Sequence, residues 1–327
     1  MSWHRSVVAA LALAACKDAA PPAAPPPAPV AGPRVIQLEQ PRDLAMVEPE
    51  VEVPKLESFQ LLDAGASGER VALRYQLATG TRSFFASTTL SSRHLEHGAF
   101  TAPIQLPAIR DGFALTVDAP RGSLALRALP GEAAATTPEA AAYLASWRQL
   151  ENRRATIAVD DRGQLTTVRL NDDPSGARSM PARNDLVQRL LATIVPLPVE
   201  PIGAGARWRV TTILKQGPAY AKQTATYTLI ARGATRWKVH VALQRVAETQ
   251  RVVDPALPPG TSAELVAMFR ALEGDVDVDP AQPLITGGAL TIESRLHVKL
   301  TAAGQAADQA SDQIFEDTGR VVLSTSP

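Results

Sequence analysis

Three groups of side chains have types and spacing that could do chemistry. Asp275-Val276-Asp277-Val278-Asp279 alternates carboxylates with valines. On a strand the acids share one face about 7 Å apart, where they repel one another unless cations sit opposite. The run reads first as a solvated acidic edge, and second, with Asp275, Asp277 and Asp279 as ligands, as a calcium site. His94-Leu95-Glu96-His97 is the nearest approach to a transition-metal cluster. Its histidines diverge on a strand and converge on a helix; between Ser91-Ser92-Arg93 and Gly98 the segment reads as a surface turn. Asn171-Asp172-Asp173-Pro174-Ser175-Gly176 opens like a calcium loop, but Ala182 stands where the bidentate acid must be, so no such loop is expected. Gly203-Ala204-Gly205 follows a helical segment and opens a strand, the reverse of a dinucleotide fingerprint. The chain has no G-x-S-x-G, P-loop or H-E-x-x-H motif, and no spacing of acids, serines or histidines selects a catalytic set. The expectation is therefore a non-catalytic protein without a cofactor or resident metal.

The one cysteine is more informative. Met1-Ser2-Trp3-His4-Arg5 is a short basic lead, and Val7 to Ala15 is an uncharged apolar run, too short to span a membrane as a helix and suited to a signal core. It ends at Leu13-Ala14-Ala15-Cys16, and Lys17-Asp18 restore charge at once. This resembles the lipobox of bacterial lipoproteins at all four positions. The resemblance implies export, cleavage after Ala15, and a diacylglycerol thioether with an acylated amine on Cys16. Several acyl chains, at about 0.8 kcal/mol per buried methylene, hold a protein on a bilayer where a single chain holds it only marginally. Lys17 follows the cysteine in place of the aspartate that retains many such proteins on the inner membrane. The expected address is thus the outer membrane, facing the periplasm, with the bilayer itself as first partner.

The remaining composition narrows the rest. The 327 residues carry 33 basic and 33 acidic side chains, so no bulk field recruits nucleic acid or an anionic membrane. Aromatics make up 5%, too few for a stacking platform. One cysteine excludes an internal disulfide and any multi-thiolate zinc site, so an exported body of this size must be stable through burial. Ala19 to Pro33 is proline- and alanine-rich and uncharged; proline fixes φ and removes donors, so a disordered, extended spacer is expected to about Pro54.

These pieces need a scaffold, and from Leu56 the pattern supplies one. Period-two runs at Phe59–Leu62, Val71–Leu77, Ser83–Leu90, Phe113–Val117, Ser123–Leu129, Ala155–Val159, Leu165–Leu170, Trp208–Leu214, Thr224–Ile230, Trp237–Val246, Ala289–Leu300 and Val321–Ser324 predict half-buried strands. Asp160-Asp161-Arg162-Gly163 predicts a hairpin turn. Helices are predicted at Asp185 to Val195, from Thr261-Ser262-Ala263-Glu264 through Leu272 to Gly274, and from Thr137-Pro138-Glu139 through Trp147, the last with a strand as alternative. The expected fold is mainly β with a few helices: one large twisted antiparallel sheet, as a half-barrel or sandwich. The domains read as a signal peptide at 1–15, a lipidated linker at 16–54 and a body at 55–327, divisible near 131–137.

Pro198-Val199-Glu200-Pro201-Ile202-Gly203-Ala204-Gly205-Ala206-Arg207-Trp208 is similar to the P-x-x-P-[VI]-x-x-G-x-x-W run of an uncharacterised family of secreted bacterial proteins and lipoproteins. That family also places a hydrophobic helix and a vDxxG hairpin upstream, matched here by Asp185 to Val195 and Val159-Asp160-Asp161-Arg162-Gly163. The likeness covers Ala155 to Val246 and implies a β-rich body without an assigned activity. Three functions are therefore open: an envelope-interaction or binding module, a carrier of a hydrophobic ligand or lipid, and a hydrolase.

Overall fold

The structure, a computed structural model, describes residues 54–96, 98–118, 123–148, 151, 154–170, 189–216, 219–252, 260–305 and 310–326. Leu13 to Cys16, the spacer, His97 and residues 171–188 lie outside these. Among the described residues the body is one antiparallel sheet of fourteen strands, not closed on itself. The strands are β1 (Lys55–Asp63), β2 (Gly80–Glu96), β3 (Ala99–Phe100), β4 (Ile104–Val117), β5 (Ser123–Ala133), β6 (Arg154–Val159), β7 (Leu165–Leu170), β8 (Arg207–Gln216), β9 (Ala219–Arg232), β10 (Trp237–Ala247), β11 (Gln250–Val252), β12 (Ser262–Val278), β13 (Ile285–Thr301) and β14 (Ser311–Ser326). Their order across the sheet is β1-β8-β9-β10-β12-β13-β14-β2-β4-β5-β6-β7, with β11 on β12 and β3 on β2. Helix α1 (Pro138–Trp147) and a helical turn at 189–193 lie against it. No helix among the described residues is long and apolar enough to cross a membrane.

Alternation creates the sheet's two faces. In β9 and β10 every second residue is buried: Ala221, Gln223, Ala225, Tyr227 and Leu229, then Trp237, Val239, Val241, Leu243 and Arg245. This inner face carries three apolar clusters. The first surrounds Trp208, Tyr227, Trp237 and Leu290; the second surrounds Leu115, Leu124, Trp147 and Ile157; the third surrounds Leu214, Leu265, Met268 and Val298. Leu191 packs against the second and third at once, so strands far apart in the sheet face a common interior. At about 25 cal/mol per Å² removed from water, such burial is the dominant stabilising term.

Two sequence expectations are corrected. Ser262 to Gly274, predicted as a helix, is the first part of β12, a 17-residue strand paired with β10 and β13. Its ladder with β13 slips between Leu265 and Ala267. Buried positions are Ala263 and Leu265 before the slip, and Met268, Leu272 and Val276 after it. A bulge that moves the buried set from odd to even numbers reproduces the spacing of a helical stripe. Val71 to Leu77, predicted as a strand, makes only an isolated bridge from Val71 to Ile202. Its alternation is real, since Leu73 and Tyr75 are buried, but its backbone bonds go to loops: Tyr75 N donates to Asp161 O at 2.7 Å and Gln76 N to Pro280 O at 2.8 Å.

Other expectations hold. Thr137 caps α1, its Oγ1 accepting from Ala140 N at 3.2 Å, and Pro138 opens the first turn. Ala140, Tyr143 and Trp147 form its buried stripe. The Asp160–Gly163 turn joins β6 to β7, with Asp160 Oδ1 accepting from Arg162 N and Gln164 N, and Gly163 at φ +75°. Residues 189–193 continue the predicted helix, whose first half lies outside the described residues.

Candidate functional site

Strand β4 brings Asp111 to the inner face at a break in its pairing. The ladder with β5 runs Arg110 to Glu132 and then Gly112 to Leu129, so Asp111 lies opposite Pro130 and Gly131. Proline lacks the N–H a regular ladder requires there. Gly131 admits helix α1, since a Cβ at that position would stand 2.8 Å from Trp147 Cδ1. The helix thereby lowers Tyr143 onto Asp111, and the Tyr143 hydroxyl donates to Asp111 Oδ2. Arg189, from the second helical segment, donates through Nη1 to the same carboxylate oxygen at 2.8 Å and through Nη2 to the Tyr143 oxygen at 2.6 Å. Its guanidinium lies over the Trp147 ring, 4.7 Å from the centroid. Trp147 Nε1 in turn donates to Leu129 O at 2.7 Å.

The Asp111 side chain is 4% exposed and that of Arg189 20%, so the pair works in a medium where charge is costly unless matched. Burial pushes the Tyr143 hydroxyl well above its ordinary range, Arg189 pulls it down and Asp111 adds to the rise; Tyr143 therefore stays a neutral donor. Chemically, this knot clips both helical segments to the sheet. Sequence reading missed it because its members lie 32 to 78 residues apart.

A second polar feature runs across the same face. Cross-strand partners Thr212, Gln223, Arg245, Arg270, Ser294, Asp317 and Ser92 form one line from β8 to β2. Arg245, 3% exposed, donates from Nε to Gln223 Oε1 at 2.9 Å, and Ser294 Oγ donates to Asp317 Oδ2 at 3.0 Å. The line separates the Trp208 cluster from the Leu265 cluster. It is a buried and half-buried polar band between two of the three apolar clusters of the inner face.

The acids singled out from sequence do different work. Asp275 is on an interior strand, not a sheet edge, and faces His240 and Lys238 across the ladder. His240 Nδ1 bonds Asp275 Oδ1 at 2.9 Å, Lys238 Nζ is 3.9 Å from Asp275 Oδ2, and His240 Nε2 is 3.5 Å from Glu273 Oε1. Asp277 stands opposite Lys238. Asp279 closes a turn, accepting from Ala281 N at 2.8 Å and from Gln282 Nε2 at 3.2 Å. The three carboxylates have separate partners, and the described residues contain no group of three His, Cys, Asp or Glu able to hold a metal. His94 is on β2 and not in the predicted turn; its ring is 6.3 Å from that of Phe315. The turn comes after it, with Gly98 at φ +82°.

The P-x-x-P run is a structural corner. Ile202 and Trp208 are fully buried, Trp208 Nε1 donates to Pro196 O at 2.7 Å, and its ring stacks on Tyr227 at 5.6 Å. Arg74 donates to Pro198 O and Val199 O, each at 3.0 Å, closing the corner from outside.

No protein-family model matches the chain, and no curated protein matches it. Among solved structures it aligns with OmpTdeltaL8, a loop-deletion mutant of the outer membrane protein OmpT of Vibrio cholerae, at 8% identity, over 74% of this chain and 99% of that one. The TM-score is 0.17, too low to carry an argument about fold or role.

Proposed function

We propose that this chain is an exported lipoprotein, anchored by acyl groups on Cys16, whose sheet body is a non-catalytic binding or interaction module of the cell envelope, placed at the outer membrane facing the periplasm. The observation that carries the anchor is the sequence Leu13-Ala14-Ala15-Cys16 directly behind an uncharged apolar run. Support for the module comes from the inner face. There the buried Asp111 and Tyr143 bond each other and the mostly buried Arg189, and hold helices in place.

A second reading, carriage of a hydrophobic ligand or lipid, is favoured by one observation: Leu191 touches two apolar clusters on the face that the polar line divides. Native mass spectrometry of protein extracted in mild detergent separates the two. Co-purifying lipid in the body of a variant lacking the anchor, Cys16→Ser, would sustain carriage. Repeated recovery of the bare mass would leave the interaction module. Release of a serine-reactive or chelator-sensitive hydrolytic activity from the pure protein would overturn both.

A further inference from the structure

The two rims of the sheet differ, and the difference is tied to where the chain enters. Lys55 pairs with Ile213 near the end of β8, so the chain preceding the body leaves at the rim formed by the end of β8, the starts of β9, β12 and β14, and the β2–β4 connection. The described turn residues of this rim, 98, 101–103, 248–249, 260–261, 302–305 and 310, include one charge, Glu248. At the opposite rim the turns carry Arg70, Arg74, Asp160, Asp161, Arg162, Glu200, Arg236 and Asp279.

Exposed apolar side chains occur at both rims, but aromatics backed by cations occur at the tether rim. Phe100 on β3 is 37% exposed, Ile104 at the start of β4 50%, and Tyr220, six strands along the same rim at the start of β9, 48%. Arg93 lies over the Phe100 ring at 4.7 Å while its Nε donates to Glu316 Oε2 at 2.7 Å, and Lys215 is 5.7 Å from the Tyr220 ring. Amphipathic or aromatic side chains with a basic group alongside suit the headgroup layer, where the ring enters the acyl boundary and the cation meets phosphate.

We propose that this rim docks on the bilayer that holds the anchor, through Phe100, Ile104 and Tyr220, with Lys215 as the basic group and Arg93 held against Phe100 by Glu316. The proposal rests on Cys16 as the anchor. The tether does not enforce it, because the stretch from Cys16 to Pro54 can reach on the order of 100 Å. Contact must come from the rim itself.

The test uses the acylated full chain in vesicles of phosphatidylethanolamine and phosphatidylglycerol, with and without brominated acyl chains. Phe100→Trp should lose about half of its added emission to brominated lipid, whereas Val199→Trp at the other rim should lose almost none. Equal quenching of the two, or none at either while the protein stays on the vesicles, overturns docking and leaves the anchor standing. If Cys16 proves to carry no acyl group, the anchor reading fails by itself. Flotation of Cys16→Ser with the same vesicles then decides docking. Weak binding removed by Phe100→Asp sustains it, and binding that is absent or insensitive to Phe100→Asp overturns it.

Discussion

Two polar clusters, each holding an aspartate, lie on opposite faces of the sheet. Inside, Asp111, Tyr143 and Arg189 join a strand to two helical segments; outside, His240, Glu273 and Asp275 bridge neighbouring strands that the ladder already joins. The inner carboxylate is 4% exposed, whereas the outer side chains are 36%, 66% and 45% exposed. Water screens the outer cluster and competes with it, so its bonds contribute little. The inner carboxylate meets little such competition, and removing it leaves the mostly buried Arg189 without its carboxylate. The comparison teaches that an aspartate's burial and the elements it joins decide how much it holds together.

The largest test of that contrast is Asp111→Ala, which leaves Arg189 without its carboxylate. It should reduce unfolding stability by about 3–5 kcal/mol, read from urea melts, and should free both helical segments to exchange amide protons. Tyr143→Phe is gentler, because the 2.8 Å contact between Arg189 and Asp111 survives; a loss of about 1–2 kcal/mol is expected in the same assay.

Alkali probes the interior without mutation. Burial raises the hydroxyls of Tyr75, Tyr143 and Tyr227 above their ordinary range. An acid whose folded pKa exceeds its unfolded one stabilises the fold fully below the unfolded value, near pH 10 for tyrosine, and progressively less above it. Urea midpoints should therefore be flat with respect to these groups from pH 7 to about 9 and fall beyond about 10. Tyrosinate absorbance from the three should appear only together with loss of structure. The smallest effect belongs to the outer cluster: Asp275→Asn should change stability by no more than about 0.5–1 kcal/mol, and added salt should reduce even that. An outer effect as large as that of Asp111→Ala would break the comparison.

Much of the fold was legible in the sequence. β9 and β10 alternate cleanly because one face is buried along most of their length, and the turn at Asp160 to Gly163 follows from local chemistry alone. Legibility failed where alternation was interrupted or absent. The bulge in β12 mimicked a helix, and Ser311 to Arg320 of β14 hides neither face fully, so it has no apolar period to read. The site was far less legible. Asp111 carries no local mark of burial, and Arg245 and Arg270 meet only through strand register. Conversely, the alternating acids Asp275, Asp277 and Asp279 stand out in sequence yet are engaged separately, by His240, opposite Lys238 and in a turn.

All envelope readings depend on acyl groups joined to sulfur at Cys16. Intact mass spectrometry of the chain recovered from membranes tests this most directly. The account predicts a mature chain beginning at Cys16, heavier than its polypeptide by a diacylglyceryl group and an amide-linked acyl group, and absent from the Cys16→Ser variant. An unmodified Cys16, within a chain that begins elsewhere or stays soluble, would contradict it.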